Sequence, residues 1–381
     1  MDVTVHHQYT IRMKVLAIAE TLRIQSGWGR YAKSVIDQYK AKGITYTIVT
    51  ARAKEKTGEE DYILPPQTKV GFIKNLFLTR RLAKDCDIVH AYDVWPYAVY
   101  GWFAVLGTKK RLFITGVGTY TIAPFNYFLK GLFAGFACRR AEKIFSIADY
   151  TKKRLLERIS LNNIVTVFWG ASDLPALTSD EIAGFAKQFN VPLERHPRIV
   201  TVGQIKYRKG QFDTVRAVAK IRNKYPTILY TIVGSDEDAR YIGEIKKFVA
   251  ENKMEDNVLL IHNANGNKAL TFFYSTADVF AMNSNNDGDH FEGFGLVFLE
   301  AEQFGKPVIG SSGCGIEQAL EDGYNGYLTR QSDIDDIAEK LDKILGGDMK
   351  ALGEHSFEFH KRFTWDKTVS TYIKYYTGEL K

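Results

Sequence analysis

Apolar residues in this chain follow two alternating patterns. Short, nearly unbroken apolar runs occupy 13–19, 44–50, 87–91, 111–115, 143–147 and 164–168, and stretches with helical spacing separate most of them. Runs of that length read as strands, and their alternation with helices predicts a parallel, doubly wound α/β sheet. The pattern starts afresh near 198–203 and continues at 227–233, 257–262, 277–282 and 307–310. Between the two series, Gly170, Pro175, Pro192 and Pro197 mark a break. The expected division is a first domain over 1–175, a linker over 176–197, a second domain over 198–360 and an aromatic helix within 361–381. Residues 1–12 read as a tail or an edge strand, with His6 and His7 a surface pair.

Two stretches of the first half are basic and apolar at once. Over 70–84, helical spacing gathers Phe72, Leu76, Thr79 and Ala83 near one face and leaves Lys74, Arg81 and Lys84 elsewhere. A sheet-packing helix with a solvated basic face is the first reading, and a peripheral contact with a membrane the second. The stretch 125–140 carries Phe125, Tyr127, Phe128, Leu129, Leu132, Phe133 and Phe136; it is apolar nearly all round and reads as a core helix.

Composition narrows the classes without choosing one. A length of 381 residues suits two ordinary domains, and 45% hydrophobic with 25% charged residues is globular. Cys86, Cys138 and Cys314 are scattered, with neither a zinc spacing nor a disulfide framework. A net charge of +7 is modest, and the Lys and Arg residues accompany no nucleic-acid-binding motif, so no nucleic-acid partner is expected. No signal peptide and no window of 18 apolar residues is visible, which makes the cytoplasm, or the inner face of a membrane, the expected location.

The densest chemistry lies at 290–301. His290 and Glu292 precede Gly293, Phe294 and Gly295, and an apolar helix then carries Glu300 before ending near Gly305. A glycine loop opening a helix presents backbone N–H groups to an anion such as phosphate, and carboxylates at both sides accept from sugar hydroxyls. In the first half, Gly27 and Gly29 follow the first strand and open a helix at about 29–42, as in nucleotide-binding units, although two glycines also suit an ordinary turn. After the first strand of the second half comes 203–210, with Gly203, Gln204, Lys206, Arg208 and Lys209. Asp287 and Asp289 form an Asp-x-Asp pattern in a polar loop, which we discount as a metal site. Gly313 and Gly315 are expected to let backbone approach a base or ribose, and Cys314 reads as a small filler.

Glu292 and Glu300 with seven residues between, then Gly305-Lys306-Pro307-Val308-Ile309 and Asp322-Gly323-Tyr324-Asn325-Gly326, together resemble the signature of the family 4 (group 1) retaining glycosyltransferases. The resemblance implies the GT-B fold: two Rossmann-like doubly wound α/β domains facing a deep interdomain cleft, with the C-terminal helix of 361–381 crossing back to the first domain. It implies transfer of a sugar from a UDP- or GDP-linked donor to a hydroxyl of a glycan, polysaccharide or lipid-linked acceptor, without cofactor or metal. Glu300 would then meet the ribose, while Glu292 and the backbone of Phe294 and Gly295 hold the sugar, with Gly293, Leu296 and His290 alongside. Lys209 and Arg208 would neutralise the diphosphate, next to Gly203 and Gln204, and Gly27 and Gly29 would touch the donor or the acceptor. The chain departs from the family at Gln204, where an arginine is usual, and at 116–118, where many relatives carry a histidine. His90, Gly118 and Tyr120 are therefore acceptor-side candidates, although a buried, hydrogen-bonded histidine is the plainer reading of His90. A nucleotide-sugar epimerase and an inactive nucleotide-sugar-binding protein are the alternatives.

Overall fold

The computed structural model describes residues 13–24, 26–52, 54 and 56–381, so the expectations for 1–12, His6 and His7 lie outside the described residues. The chain divides into two compact units, one running through Ile147 with Lys152–Val167 and Trp365–Lys381, the other comprising Ala148–Thr151 and Phe168–Thr364.

The described residues open on β1 (Lys14–Ala19), buried from Val15 onward. Ser26 accepts a hydrogen bond from Gly29 N and starts α1 (Gly27–Ala41). There follow β2 (Thr45–Thr50), β3 (Tyr62–Ile63), α2 (Lys69–Leu82), β4 (Ile88–Tyr92), α3 (Val99–Val105), β5 (Arg111–Gly116), α4 (Thr119–Ile122), α5 (Phe128–Arg140), β6 (Lys143–Ser146), α6 (Asp149–Leu156) and β7 (Ile164–Thr166). These strands form one parallel sheet in the order β3-β2-β1-β4-β5-β6-β7.

The second unit holds α7 (Ser179–Phe189), β8 (Arg198–Val202), α8 (Gln211–Ile221), β9 (Leu229–Val233), α9 (Ala239–Glu251), β10 (Val258–Ile261), α10 (Asn267–Thr276), β11 (Val279–Met282), α11 (Leu296–Glu302), β12 (Val308–Ser311), β13 (Gly326–Thr329), α12 (Ile334–Leu345) and α13 (Met349–His360). Its six parallel strands run β10-β9-β8-β11-β12-β13, the winding of the first sheet repeated. The core of this unit packs Val215 and Val218 of α8, Ile245 of α9 and Leu341 of α12 around Tyr230 and Ile232.

The last helix, α14 (Trp365–Thr377), belongs to the first unit and packs on α1. Tyr39 and Tyr376 share a 2.7 Å hydrogen bond, and the Arg111 guanidinium donates to the carbonyls of Tyr375 and Tyr376.

Three features differ from the sequence reading. The stretch 176–197 is no bare linker: Thr178 caps α7 in a capping box with Glu181, Asn190 ends it in the left-handed conformation, and Phe272 meets Phe189 in a stacked and Phe185 in a tilted arrangement. Helix α5 is not a core helix. Its buried side is made of Ala134, Gly135, Ala137 and Cys138, so the bulky residues, Phe128 at 85% exposure among them, lie outside. On α2 the inner face is Gly71, Asn75 and Thr79, with Phe72 and Leu76 half-buried, while Val70, Ile73 and Phe77 are exposed.

Candidate functional site

In each sheet the winding direction reverses between two central strands, and the loops leaving their carboxyl ends part to leave a crevice. In the second unit those strands are β8 and β11. The loop after β8 turns through the 3₁₀ segment Tyr207–Lys209 and reaches α8 at Gly210, whose φ is +66°. A Cβ on Gly210 would stand 1.8 Å from the carbonyl oxygen of Asn283, so only glycine lets this turn press against the chain leaving β11. The Arg208 carbonyl accepts from Asn285 N at 2.8 Å and fixes the same contact.

That contact aims the two basic side chains at one carboxylate. Lys209 Nζ lies 2.7 Å and Arg208 Nη1 3.1 Å from Glu292 Oε2, with all three side chains at most 20% exposed. Burial alone would push the Glu292 carboxyl up, but Lys209 and Arg208 more than offset it and hold it at about 2. Lys209 is shifted downward, because burial outweighs the help from Glu292. Glu292 is thus a charged acceptor held by two cations. Its backbone is held too: Gly315 N donates to the Glu292 carbonyl at 2.8 Å, and a Cβ on Gly315 would meet Gly293 O at 2.0 Å. The close approach at Gly315 therefore serves the protein's own backbone, in place of the base or ribose contact expected from sequence.

Beyond Glu292 the chain dives inward. Phe294 is buried against Phe168, Trp169 and Phe363, so its side chain anchors the loop and only its backbone remains for a ligand. Gly295, at φ +89°, precedes α11, which stops at Glu302, short of the expected end near Gly305. Leu296 and Glu300 are buried on it, and Glu300 Oε2 accepts from the Tyr274 hydroxyl at 2.8 Å. His290 is exposed, and its backbone pairs with Asp287 across the tight Asp-Gly-Asp turn. Among the described residues, no cluster of three or more His, Cys, Asp or Glu side chains could hold a metal ion. Gly203 leaves β8 with φ +154°, and exposed Gln204 donates to Glu237 at 3.0 Å and accepts from Lys206 at 2.6 Å.

In the first unit the corresponding crevice lies at β1 and β4. Gly29 is the close-packed glycine of the turn after β1, since a Cβ there would strike Arg23 O at 2.0 Å; Gly27 has open space. Trp28 and the exposed Tyr120 bring that turn to the segment opened by Gly118, their ring centroids 5.0 Å apart. His90 is not an acceptor-side residue. It is fully buried, with Nε2 2.9 Å from Thr115 Oγ1 and Nδ1 2.6 Å from the Tyr376 hydroxyl, and burial lowers it to about 3, which leaves it neutral. The crevice residue that sequence reasoning passed over is Asp93, at the first position beyond β4 with φ +119°. It is buried, its Oδ1 accepts from Val94 N at 2.7 Å and from Thr121 Oγ1 at 2.8 Å, and burial pushes the carboxyl up to about 7. An acid immediately past a strand's carboxyl end was the available signal.

Comparison with known proteins bears on both units. The model of the family "Glycosyl transferases group 1" matches residues 184–356. The chain is 23% identical over 350 residues to an uncharacterized glycosyltransferase of Methanocaldococcus jannaschii, covering 88% of this chain and 91% of that one. It is 29% identical over 213 residues to a D-inositol 3-phosphate glycosyltransferase of Corynebacterium aurimucosum, covering 54% of this chain and 49% of that protein. Among solved structures, Anabaena HepE in complex with UDP and glucose superposes with a TM-score of 0.79 at 17% identity, covering 97% of this chain and 100% of that one.

Proposed function

From the premise that the chain is a group 1 glycosyltransferase with the two-domain GT-B fold, we propose that it transfers a sugar, with retention, from a UDP- or GDP-linked donor to a hydroxyl of a glycan, polysaccharide or lipid-linked acceptor. The observation that carries this reading is the convergence of Lys209 and Arg208 on Glu292 at the switch point of β8 and β11. With Lys206 beside them, three cations face the carboxylates of Glu292 and Glu237, which leaves net positive charge for a diphosphate. As the bond between the anomeric carbon and the diphosphate oxygen breaks, negative charge grows on that oxygen, and cations already fixed in place stabilise it without reorganising. Lys209 and Arg208 take that role; Glu292, kept ionised by them, accepts from donor-sugar hydroxyls together with the backbone at Gly293, Phe294 and Gly295. Glu300, oriented by Tyr274, accepts from the ribose. The acceptor proton passes to the leaving phosphate, so no protein nucleophile is assigned, and neither a metal nor another cofactor enters the scheme. Gln204 does not replace the usual arginine charge for charge; Arg208 and Lys206 supply it from the same loop.

HepE was solved with UDP and glucose, which supports a nucleotide-linked donor here. The two relatives named above are both glycosyltransferases, which does not favour the epimerase or the inactive binding protein. The test is incubation with UDP- and GDP-linked sugars without acceptor. One donor is expected to raise the melting temperature and to be hydrolysed slowly to sugar and nucleoside diphosphate. With acceptor present, NMR is expected to show the donor's anomeric configuration in the product. Inversion would remove the retaining scheme, and the absence of binding or hydrolysis with every donor would remove the function. Glu292→Ala is expected to abolish transfer while leaving the circular dichroism spectrum unchanged; normal turnover in it would refute the assignment.

A further inference from the structure

The largest unexplained feature lies on the first unit, across α2, α3 and α5. On α2, Val70, Ile73 and Phe77 stand 63%, 55% and 61% exposed along one stripe, which continues through Lys74, Arg81 and Lys84. On α5, Phe128 and Leu129 are 85% and 64% exposed, with Tyr127, Leu132, Phe133 and Phe136 also outside. Helix α3 joins them: Phe77 meets Phe103 edge-on at 5.4 Å, and Trp102 stacks on Phe136 at 5.7 Å. The three helices therefore present one apolar face, where soluble chains seldom expose a large contiguous patch without a partner.

Charge identifies the partner. Helix α2 carries Lys69, Lys74, Arg80 and Arg81, α5 carries Lys130, Arg139 and Arg140, and none of the three helices contains an acidic residue. Arg80 is used internally, donating to the carbonyls of Phe103 and Leu106, and Arg140 donates to Lys110 O; the other five are exposed. Lys130 lies over the rings of half-buried Trp95 and exposed Tyr127, placing a cation directly beside the aromatic part of the face. A second copy docking through the same face would set cation against cation. An anionic bilayer satisfies both parts, taking aromatic and aliphatic side chains into its interface while its headgroups meet the basic rim. A groove of about 460 Å³ lined by Phe125, Tyr127, Phe128, Gly131, Leu132, Glu157 and Arg158 opens at the amino end of α5. Its mixed lining suits the border between headgroup and acyl chain.

We propose that the α2–α3–α5 face is a docking surface for an anionic lipid bilayer. The full chain is incubated with sedimenting vesicles of phosphatidylcholine alone or with anionic phosphatidylglycerol. It is expected to pellet with the anionic vesicles and to be released by salt. The pair Phe128→Asp and Leu129→Asp is expected to cut the bound fraction about tenfold, and Lys74→Glu with Lys130→Glu to abolish the preference for anionic lipid. These side chains are exposed, so melting temperature and donor hydrolysis are expected to stay at parental values in both variants, separating lost docking from lost folding. Equal binding to neutral vesicles, binding unchanged by the substitutions, or a dimer of the parent chain that the Asp pair dissolves would each overturn the proposal. The readout is vesicle binding, so it stands apart from the donor chemistry proposed above.

Discussion

Lys209 is a lysine with little water around it and Glu292 as its counter-charge. Removing it leaves Arg208 as the nearest cation to a leaving diphosphate, so Lys209→Ala is expected to slow transfer roughly 10²-fold. Affinity for nucleoside diphosphate should fall far more than affinity for the nucleoside; equal losses by calorimetry would speak against a phosphate role. Asp93 makes a prediction of opposite electrostatic sign to Glu292. The Glu292 carboxyl sits at about 2 when folded and near 4.3 when unfolded, so its contribution is present above the unfolded value and disappears as acid carries the pH toward 2. Asp93 sits at about 7 when folded and near 3.9 when unfolded, so the folded chain binds the extra proton and stability falls as pH rises between those values. Asp93→Asn keeps an oxygen for Val94 N and Thr121 and carries no charge. Its stability relative to the parent is expected to rise from pH 4 to 7, by at most on the order of 4 kcal/mol, and then level off. Urea unfolding of both proteins across that range checks it, and a constant difference would show that Asp93 titrates normally.

At the scale of single elements, the glycines of the two crevices separate into different kinds. Gly210 combines φ +66° with an approach that places a Cβ 1.8 Å from Asn283 O, whereas Gly27, in the first turn of α1, has nothing within 4 Å. Gly210→Ala is expected to cost roughly 2–4 kcal/mol and to lower transfer by displacing Lys209, while Gly27→Ala is expected to be neutral or stabilising by up to about 1 kcal/mol. Denaturant midpoints for the two variants decide it; equal shifts would mean the turn at Gly210 relaxes. Such differences were invisible in the sequence, where both were glycines following a strand. Eleven strands were legible because a parallel strand covered on both faces is a nearly continuous apolar run. The two-residue β3 is too short to leave that signature, and β13, an edge strand reading Gly-Tyr-Leu-Thr, has only Tyr327 and Leu328 as apolar positions, both half-buried. Helix α7 was hidden by flanking prolines, and the orientation of α5 by its being apolar all round, since only its small residues mark the packed side. The basic loop and the carboxylate loop were both readable; that they close on each other through Glu292 depends on a backbone contact with no local sequence signal.

For the whole molecule, the notable fact is that the first unit is not finished until the chain's end. Its sheet is complete by Thr166, yet α14 supplies Val369, Tyr372 and Tyr376, all essentially buried, after the entire second unit has been threaded. Tyr376 completes a buried hydrogen-bonded chain with the Tyr39 hydroxyl and the His90 ring, and Tyr31 reaches both Thr115 and Tyr372. Burying each large side chain contributes about 1.5–3 kcal/mol, so the three together approach the 5–15 kcal/mol that typically holds a domain folded. Their loss would also take the Tyr376 hydroxyl from the buried His90 Nδ1, at about 1–3 kcal/mol, leaving the ring only its contact with Thr115. A chain ending at Thr364 is therefore expected to lose the first unit while keeping the second, whose core draws on none of α14. Limited proteolysis with mass spectrometry reads this directly: fragments from 168–364 should persist while 14–167 is digested under conditions that spare the parent. Tyr376→Phe is the milder companion, keeping the ring and removing only the hydroxyl, and should destabilise the first unit by about 1–2 kcal/mol. If the shortened chain resists protease over 14–167 as well as the parent does, α14 is an accessory to that fold and not a part of its core.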